Sequence, residues 1–169
     1  MRITKKITIE QPIDNVWKIV AEDFDKASIW MAAIPNSYAH EAGQPIEGAP
    51  MAGRICELTP KKNGPIAEET ITAYDEIQHS MHVLIVPKNT NLPILKNNLH
   101  IKLNVLAPNK TEIIWDADLS LKTMGKLLYP ALKLGIGKSF TELLEELKYY
   151  AEQGKPHPRK LAKQASNAA

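Results

Sequence analysis

Arg54, Glu69 and His82 are the side chains of this sequence best placed to do chemistry. All three carry ionisable groups, and each sits in a short segment whose alternation turns it toward an apolar face. In 52–59 the apolar parity set is Cys56 and Leu58, and Arg54 shares it. In 65–74 the set containing Ile71 and Ala73 includes Glu69. A turn at 75–78 pairs Ala73 with Ser80, Ile71 with His82 and Glu69 with Leu84, which carries His82 inward as well. A turn over 59–64 sets Arg54 opposite Glu69, whereas a tight two-residue Asn-Gly turn separates them along the strands and keeps them on one face. Buried charges cost several kcal/mol each unless paired, and Arg with Glu can pair in a bidentate fork. Three readings follow. The pair fixes strand register, or it anchors the polar end of a ligand in an apolar cavity, or Glu69 or His82 transfers protons.

Other chemistries find little support. His40, His79, His100 and His157 have no metal-ligand spacing, and Cys56 is the only cysteine, so neither a metal site nor an intrachain disulfide is expected. No dinucleotide or phosphate-loop glycine pattern and no nucleophile elbow is present. Gly135-Ile136-Gly137-Lys138-Ser139 lacks the upstream glycine of a phosphate loop. Cys56 reads as a small buried apolar residue, and Trp30 and Trp115 as core or cavity wall.

The elements that must position these residues are mostly strands. Ile3, Ile7 and Ile9 alternate with polar residues, with Lys5 a defect on their apolar face. Pro12 opens a short helix with Ile13, Val16, Trp17 and Val20 on one side. Asp23 can cap a second short helix through Met31 that buries Phe24, Ala27 and Trp30. Segment 36–42 is a weak strand and 43–51 a loop. Strands follow at 52–59, 65–74 and 79–86, a loop at 89–97, and strands at 98–106 and 111–121. The turn at 108–110 pairs Val105 with Ile113, Leu103 with Trp115 and Ile101 with Ala117, all on an inner face. The one long helical pattern is 124–153, with Phe140, Leu143, Leu144, Leu147, Tyr150 and Ala151 on its apolar side and Gly154 as its stop. Pro130, Gly135 and Gly137 interrupt its first half, and Ser139 with Glu142 can form a capping box that restarts it. Segment 124–138 is therefore expected to be the looser, movable part. One terminal helix can serve many strands only if the sheet curls around it, which implies a curved antiparallel sheet of about seven strands enclosing a cavity.

At 169 residues the chain suits one domain with a real hydrophobic core. Net charge is +2, but Lys155, Arg159, Lys160 and Lys163 lie after Gly154, and without them 17 basic residues stand against 19 acidic. A body of −2 gives no basic face for nucleic acid, so none is expected as a partner. The expected organisation is a domain over 1–153 and a basic, flexible tail over 154–169. There is no signal-peptide h-region and no apolar run of membrane-spanning length, so a cytoplasmic location is expected.

The order of strand, two short helices, six strands and a long C-terminal helix resembles the START-like superfamily of polyketide cyclase/dehydrase and lipid-transport proteins, the helix-grip fold. Gly53-Arg54-Ile55-Cys56-Glu57-Leu58, the run Ile66 to Glu76 and the ending Leu147 to Lys160 carry the likeness. The resemblance implies an α+β helix-grip domain that binds a small hydrophobic or lipid-like molecule, as carrier or sensor, between sheet and helix. No cofactor is expected. The cavity is expected to be lined by Trp30, Arg54, Cys56, Glu69, Ile71, His82, Leu84, Ile101, Trp115, Leu132 and Phe140, with Arg54 and His82 holding a polar end and 124–138 gating access. The same resemblance admits a cyclase or dehydratase using Glu69 or His82 as acid or base. A non-catalytic interaction module, with a collapsed cavity and an exposed apolar patch, is the third reading.

Overall fold

The computed structural model describes residues 1–168. Seven antiparallel strands form one sheet: β1 (Arg2–Ile9), β2 (Asn36–Ala39), β3 (Gly53–Glu57), β4 (Ile66–Asp75), β5 (Ser80–Lys88), β6 (Ile94–Ala107) and β7 (Lys110–Leu121). Their spatial order is β1-β7-β6-β5-β4-β3-β2, so every neighbour except β1 with β7 is also a neighbour in sequence. The helices are α1 (Ile13–Trp17), which runs on into a π-helical turn Lys18–Glu22, then α2 (Ala27–Trp30), α3 (Thr123–Leu127), α4 (Tyr129–Gln153) and α5 (Pro158–Ala168). The inner face of the sheet takes Val16, Trp17 and Val20 from the first helical segment, Phe24 from the turn that leads into α2, and Leu144 and Leu147 from α4, all buried. This is the expected α+β grip, a sheet with its apolar parity turned toward one long helix.

Several local expectations need correction. Asp23 makes no side-chain cap; its carboxylate instead receives Lys26 Nζ at 2.7 Å. The β6–β7 turn is tighter than 108–110, with Ala107 opposite Lys110, so Ile101 faces Trp115 and Leu103 faces Ile113. The register differs by two residues and the inner face is unchanged, because a shift by an even number preserves parity. Strand β6 also begins at Ile94, inside the expected loop, where Ile94 pairs with Leu121 across the sheet.

Helix α4 does not restart at Ser139. It is continuous from Tyr129 because Pro130 falls in its first turn, where a missing N–H breaks no intrahelical bond. Ser139 Oγ bonds the Gly135 carbonyl at 3.1 Å, the habit of a hydroxyl inside a helix rather than at its start. Gly154 ends α4 in the left-handed region at φ 65°, as expected of a C-terminal glycine.

The segment after Gly154 is not a flexible tail within the described residues, and residue 169 lies outside them. It forms α5, and two of its cations are tied into the body. Arg159 reaches Glu145 at 2.6 Å, Glu146 at 3.1 Å and the Glu142 carbonyl at 2.8 Å. Lys160, 1% exposed, donates from Nζ to the Ile34 carbonyl at 2.7 Å. Burial holds the Lys160 ammonium below its ordinary pKa, and Glu146 opposes that shift. The buried Glu146 completes the joint by accepting the Ala32 N–H at 2.8 Å. A composition rich in Lys and Pro conceals this, since solvated tails share it.

Candidate functional site

Strands β3 and β4 bring Arg54 and Glu69 face to face in register, as the longer turn over 59–64 requires. Gly53 lets them approach: a Cβ there would stand 1.9 Å from the Glu69 carbonyl oxygen, so only glycine fits. Both charged residues are 6% exposed. Arg54 Nε and Nη2 contact Glu69 Oε2 at 3.0 and 2.9 Å. Arg54 Nη1 donates to the Phe24 carbonyl at 2.7 Å, and the guanidinium lies 4.0 Å from the centre of the Phe24 ring. Burial works against the Arg54 charge, but the Glu69 carboxylate outweighs it and the guanidinium pKa lies above its ordinary value. Beside the pair, burial pushes the Cys56 thiol up to about 12, so it stays protonated and inert near neutral pH.

Next to this ion pair is a cavity of about 150 Å³ between sheet and helices. Phe24, Trp30, Met31 and Ile34 wall it from the α1–α2 side, and Phe140 and Leu143 from α4. Ala67 and Ile85 with Leu99, Ile101 and Trp115 form the sheet side. Trp115 and Phe140 meet edge to face with centroids 6.2 Å apart. Of sixteen lining residues only Arg54, Glu69 and Asn97 are polar or charged. Asn97 is 6% exposed, and its Oδ1 has no hydrogen-bond partner among the described residues; neither has the buried Trp115 Nε1.

Of the eleven residues named from the sequence, the structure places Trp30, Arg54, Glu69, Ile101, Trp115 and Phe140 on the cavity lining and leaves the other five off it. Cys56 and Ile71 are buried in the adjoining core, and Leu132 is half-buried on α4 before the cavity begins. His82 and Leu84 are a correction of face. The β4–β5 register slips between Ile71 and Ala73, leaving Thr72 over as a bulge, so Ile71 faces Val83 and Glu69 faces Ile85. That one residue reverses the parity: Met81, Val83 and Ile85 point inward, Ala73 is exposed, and His82 lies on the outer surface. There His82 stacks on His100 with ring centres 4.2 Å apart, and His100 contacts Ser80 Oγ at 2.9 Å. His82 is therefore neither a polar anchor nor an acid–base candidate of the cavity.

Asn97 is the polar lining residue that sequence reasoning missed, because Pro93 and the Asn residues at 89, 91 and 97 read as a loop. The even spacing of Asn97, Leu99 and Ile101 was the available signal. Among the described residues no three His, Cys, Asp or Glu side chains converge as a metal site would need. No helix among them is long and apolar enough to cross a membrane.

The family described as polyketide cyclase / dehydrase and lipid transport matches residues 1–152. Similar solved structures include a START superfamily protein from Mycobacterium smegmatis, 15% identical with a TM-score of 0.72 over 90% of this chain and 97% of that one. The Zhui aromatase/cyclase from a Streptomyces species is 13% identical with a TM-score of 0.70, covering 90% of this chain and 94% of that one. Norcoclaurine synthase from Thalictrum flavum is 12% identical with a TM-score of 0.62, over 90% and 94% of the two chains. At such identities the likeness is one of fold. No curated protein matches the chain.

Proposed function

The chain belongs to the polyketide cyclase / dehydrase and lipid transport family, and from that premise we propose that it binds a small, mostly apolar molecule carrying one polar group, as a carrier or sensor. The observation that carries this reading is the unfilled apolar cavity with the Arg54–Glu69 pair and Asn97 as the polar side chains of its wall. Native interiors are close-packed, and a space of this size lined by large side chains forgoes packing that Leu, Ile or Phe could supply. An apolar cavity of about 150 Å³ accommodates benzene in another protein, so the resting space suits a single ring or a short branched chain. Arg54, Glu69 and Asn97 are the side chains on the wall that can meet the molecule's polar group. The Arg54–Glu69 pair closes the same wall and offers charge to a ligand that displaces one partner. Larger ligands are admitted by outward movement of the first turns of α4, which the body holds loosely.

Proton-transfer catalysis is the weaker reading. Arg54 and Glu69 are the only charged residues on the wall, Glu69 is engaged by Arg54, and His82 is on the other face of the sheet. The test is native mass spectrometry of the protein from its own cells, followed by uptake of single-ring and short-chain alcohols by the stripped protein. A stoichiometric small adduct, weakened at least tenfold by Asn97→Leu, is the expected result. A stripped protein that takes up none of these probes overturns the reading.

A further inference from the structure

Seven of the thirteen large apolar side chains that stand well exposed among the described residues lie at one end of the molecule: Leu92, Leu95, Met124, Leu127, Leu128, Tyr129 and Leu134. Leu127 is 81% exposed and Leu134 78%. The two segments that carry them form one surface, because the Pro93 carbonyl accepts the Lys122 N–H at 3.0 Å and Gly125 packs directly on Pro93. Residues 89–96 and 122–138 contain five lysines, at 96, 122, 126, 133 and 138, and no Asp or Glu. Among the described residues only Lys138 has an acidic partner, Glu142 at a loose 3.8 Å. The first two turns of α4 project from the body: Tyr129, Pro130, Ala131, Lys133, Leu134 and Gly135 are all exposed, and a Cβ at Gly135 would meet nothing within 4 Å.

Leucines this bare, interspersed with unpaired lysines on a projecting element, have the chemistry of an interfacial anchor rather than of a packed contact. A second copy is a poor occupant, since a two-fold interface would press this lysine-rich patch against itself. We propose that this end of the molecule docks on an anionic lipid surface, with Leu127 and Leu134 entering the boundary of headgroup and acyl chain and Lys126 and Lys133 meeting lipid phosphates. The proposal is independent of what the cavity holds.

The test is co-sedimentation of the whole protein with vesicles of phosphatidylcholine alone or mixed with phosphatidylglycerol. Binding is expected to the mixed vesicles only and to fall as salt rises. Leu127→Glu with Leu134→Glu should abolish it, and Lys126→Gln with Lys133→Gln should weaken it roughly tenfold or more. These side chains are exposed, and unchanged far-UV circular dichroism will confirm folding; if the leucine pair fails that check, the lysine pair and the salt series still decide. Three outcomes overturn the proposal: no binding to either vesicle, binding indifferent to both pairs of changes, or a solution dimer or protein complex that Leu127→Glu dissociates while vesicles are ignored.

Discussion

At the scale of single residues, the Arg54–Glu69 pair poses a choice between fixing register and anchoring a ligand. Glu69→Leu leaves a buried guanidinium uncompensated, and the expected loss of stability is about 3–5 kcal/mol. Arg54→Met added to it removes the second charge, so urea unfolding should recover most of that loss. If the pair anchors a ligand, the double variant regains stability without regaining uptake; a register device regains both. A second residue-scale prediction concerns pH. The Arg2 guanidinium bonding Asp116, helped by the Thr4 hydroxyl at 2.8 Å, holds that carboxyl at about 2 against an ordinary 3.8. A carboxylate whose folded pKa is depressed adds stability above its unfolded value and loses it as pH falls through the folded one. The stability advantage over Asp116→Asn should therefore be complete above about pH 4 and gone near about pH 2, as read from urea midpoints along a pH series.

At the scale of elements, α4 and α5 make opposite predictions. Gly135 and Gly137 weaken the first half of α4, and a Cβ at either meets nothing closer than Lys5 Cε at 3.9 Å. Changing both to Ala should raise stability by roughly 0.5–1 kcal/mol each and, if outward movement of these turns admits ligand, slow exchange. Thermal midpoints and stopped-flow uptake measure the two effects separately. Ending the chain at Gly154 removes Arg159 and Lys160, leaving the buried Glu146 only the Ala32 N–H. A loss of about 3 kcal/mol is expected, with faster amide exchange over 31–35, the segment that carries part of the cavity wall. The elements themselves were largely legible, because alternation and helical period report directly which face is buried. Alternation put Arg54 and Glu69 on one face, but the sequence left two turns open over 59–64, and only the structure shows the longer one that sets Arg54 opposite Glu69. The Thr72 bulge was not legible: nothing in Thr-Ala-Tyr-Asp distinguishes a continuous strand from one with an extra residue, yet that residue decides whether His82 faces the ligand or the solvent. The docking of α5 was hidden for a related reason, since nothing in a basic, Pro-containing stretch shows that Arg159 turns back on α4 or that Lys160 reaches Ile34, which is remote in sequence.

At the scale of the whole molecule, the sheet and α4 enclose more space than they fill, and stability and function should compete for it. Ala67 lines the cavity from β4, is 8% exposed and lies opposite Cys56. A leucine there extends into empty volume with little backbone adjustment, and such cavity-filling changes commonly add about 0.5–2 kcal/mol. If the space exists for a ligand, Ala67→Leu should raise the thermal midpoint of the stripped protein and abolish uptake. The unaltered protein should then catch up with the variant and overtake it as ligand is raised, because a ligand that binds only the folded state stabilises it in proportion to the logarithm of its concentration. Calorimetry across a ligand titration reads all three quantities. A variant that loses stability would mean that the walls close over this space in solution, and the carrier reading would lose the cavity on which it stands.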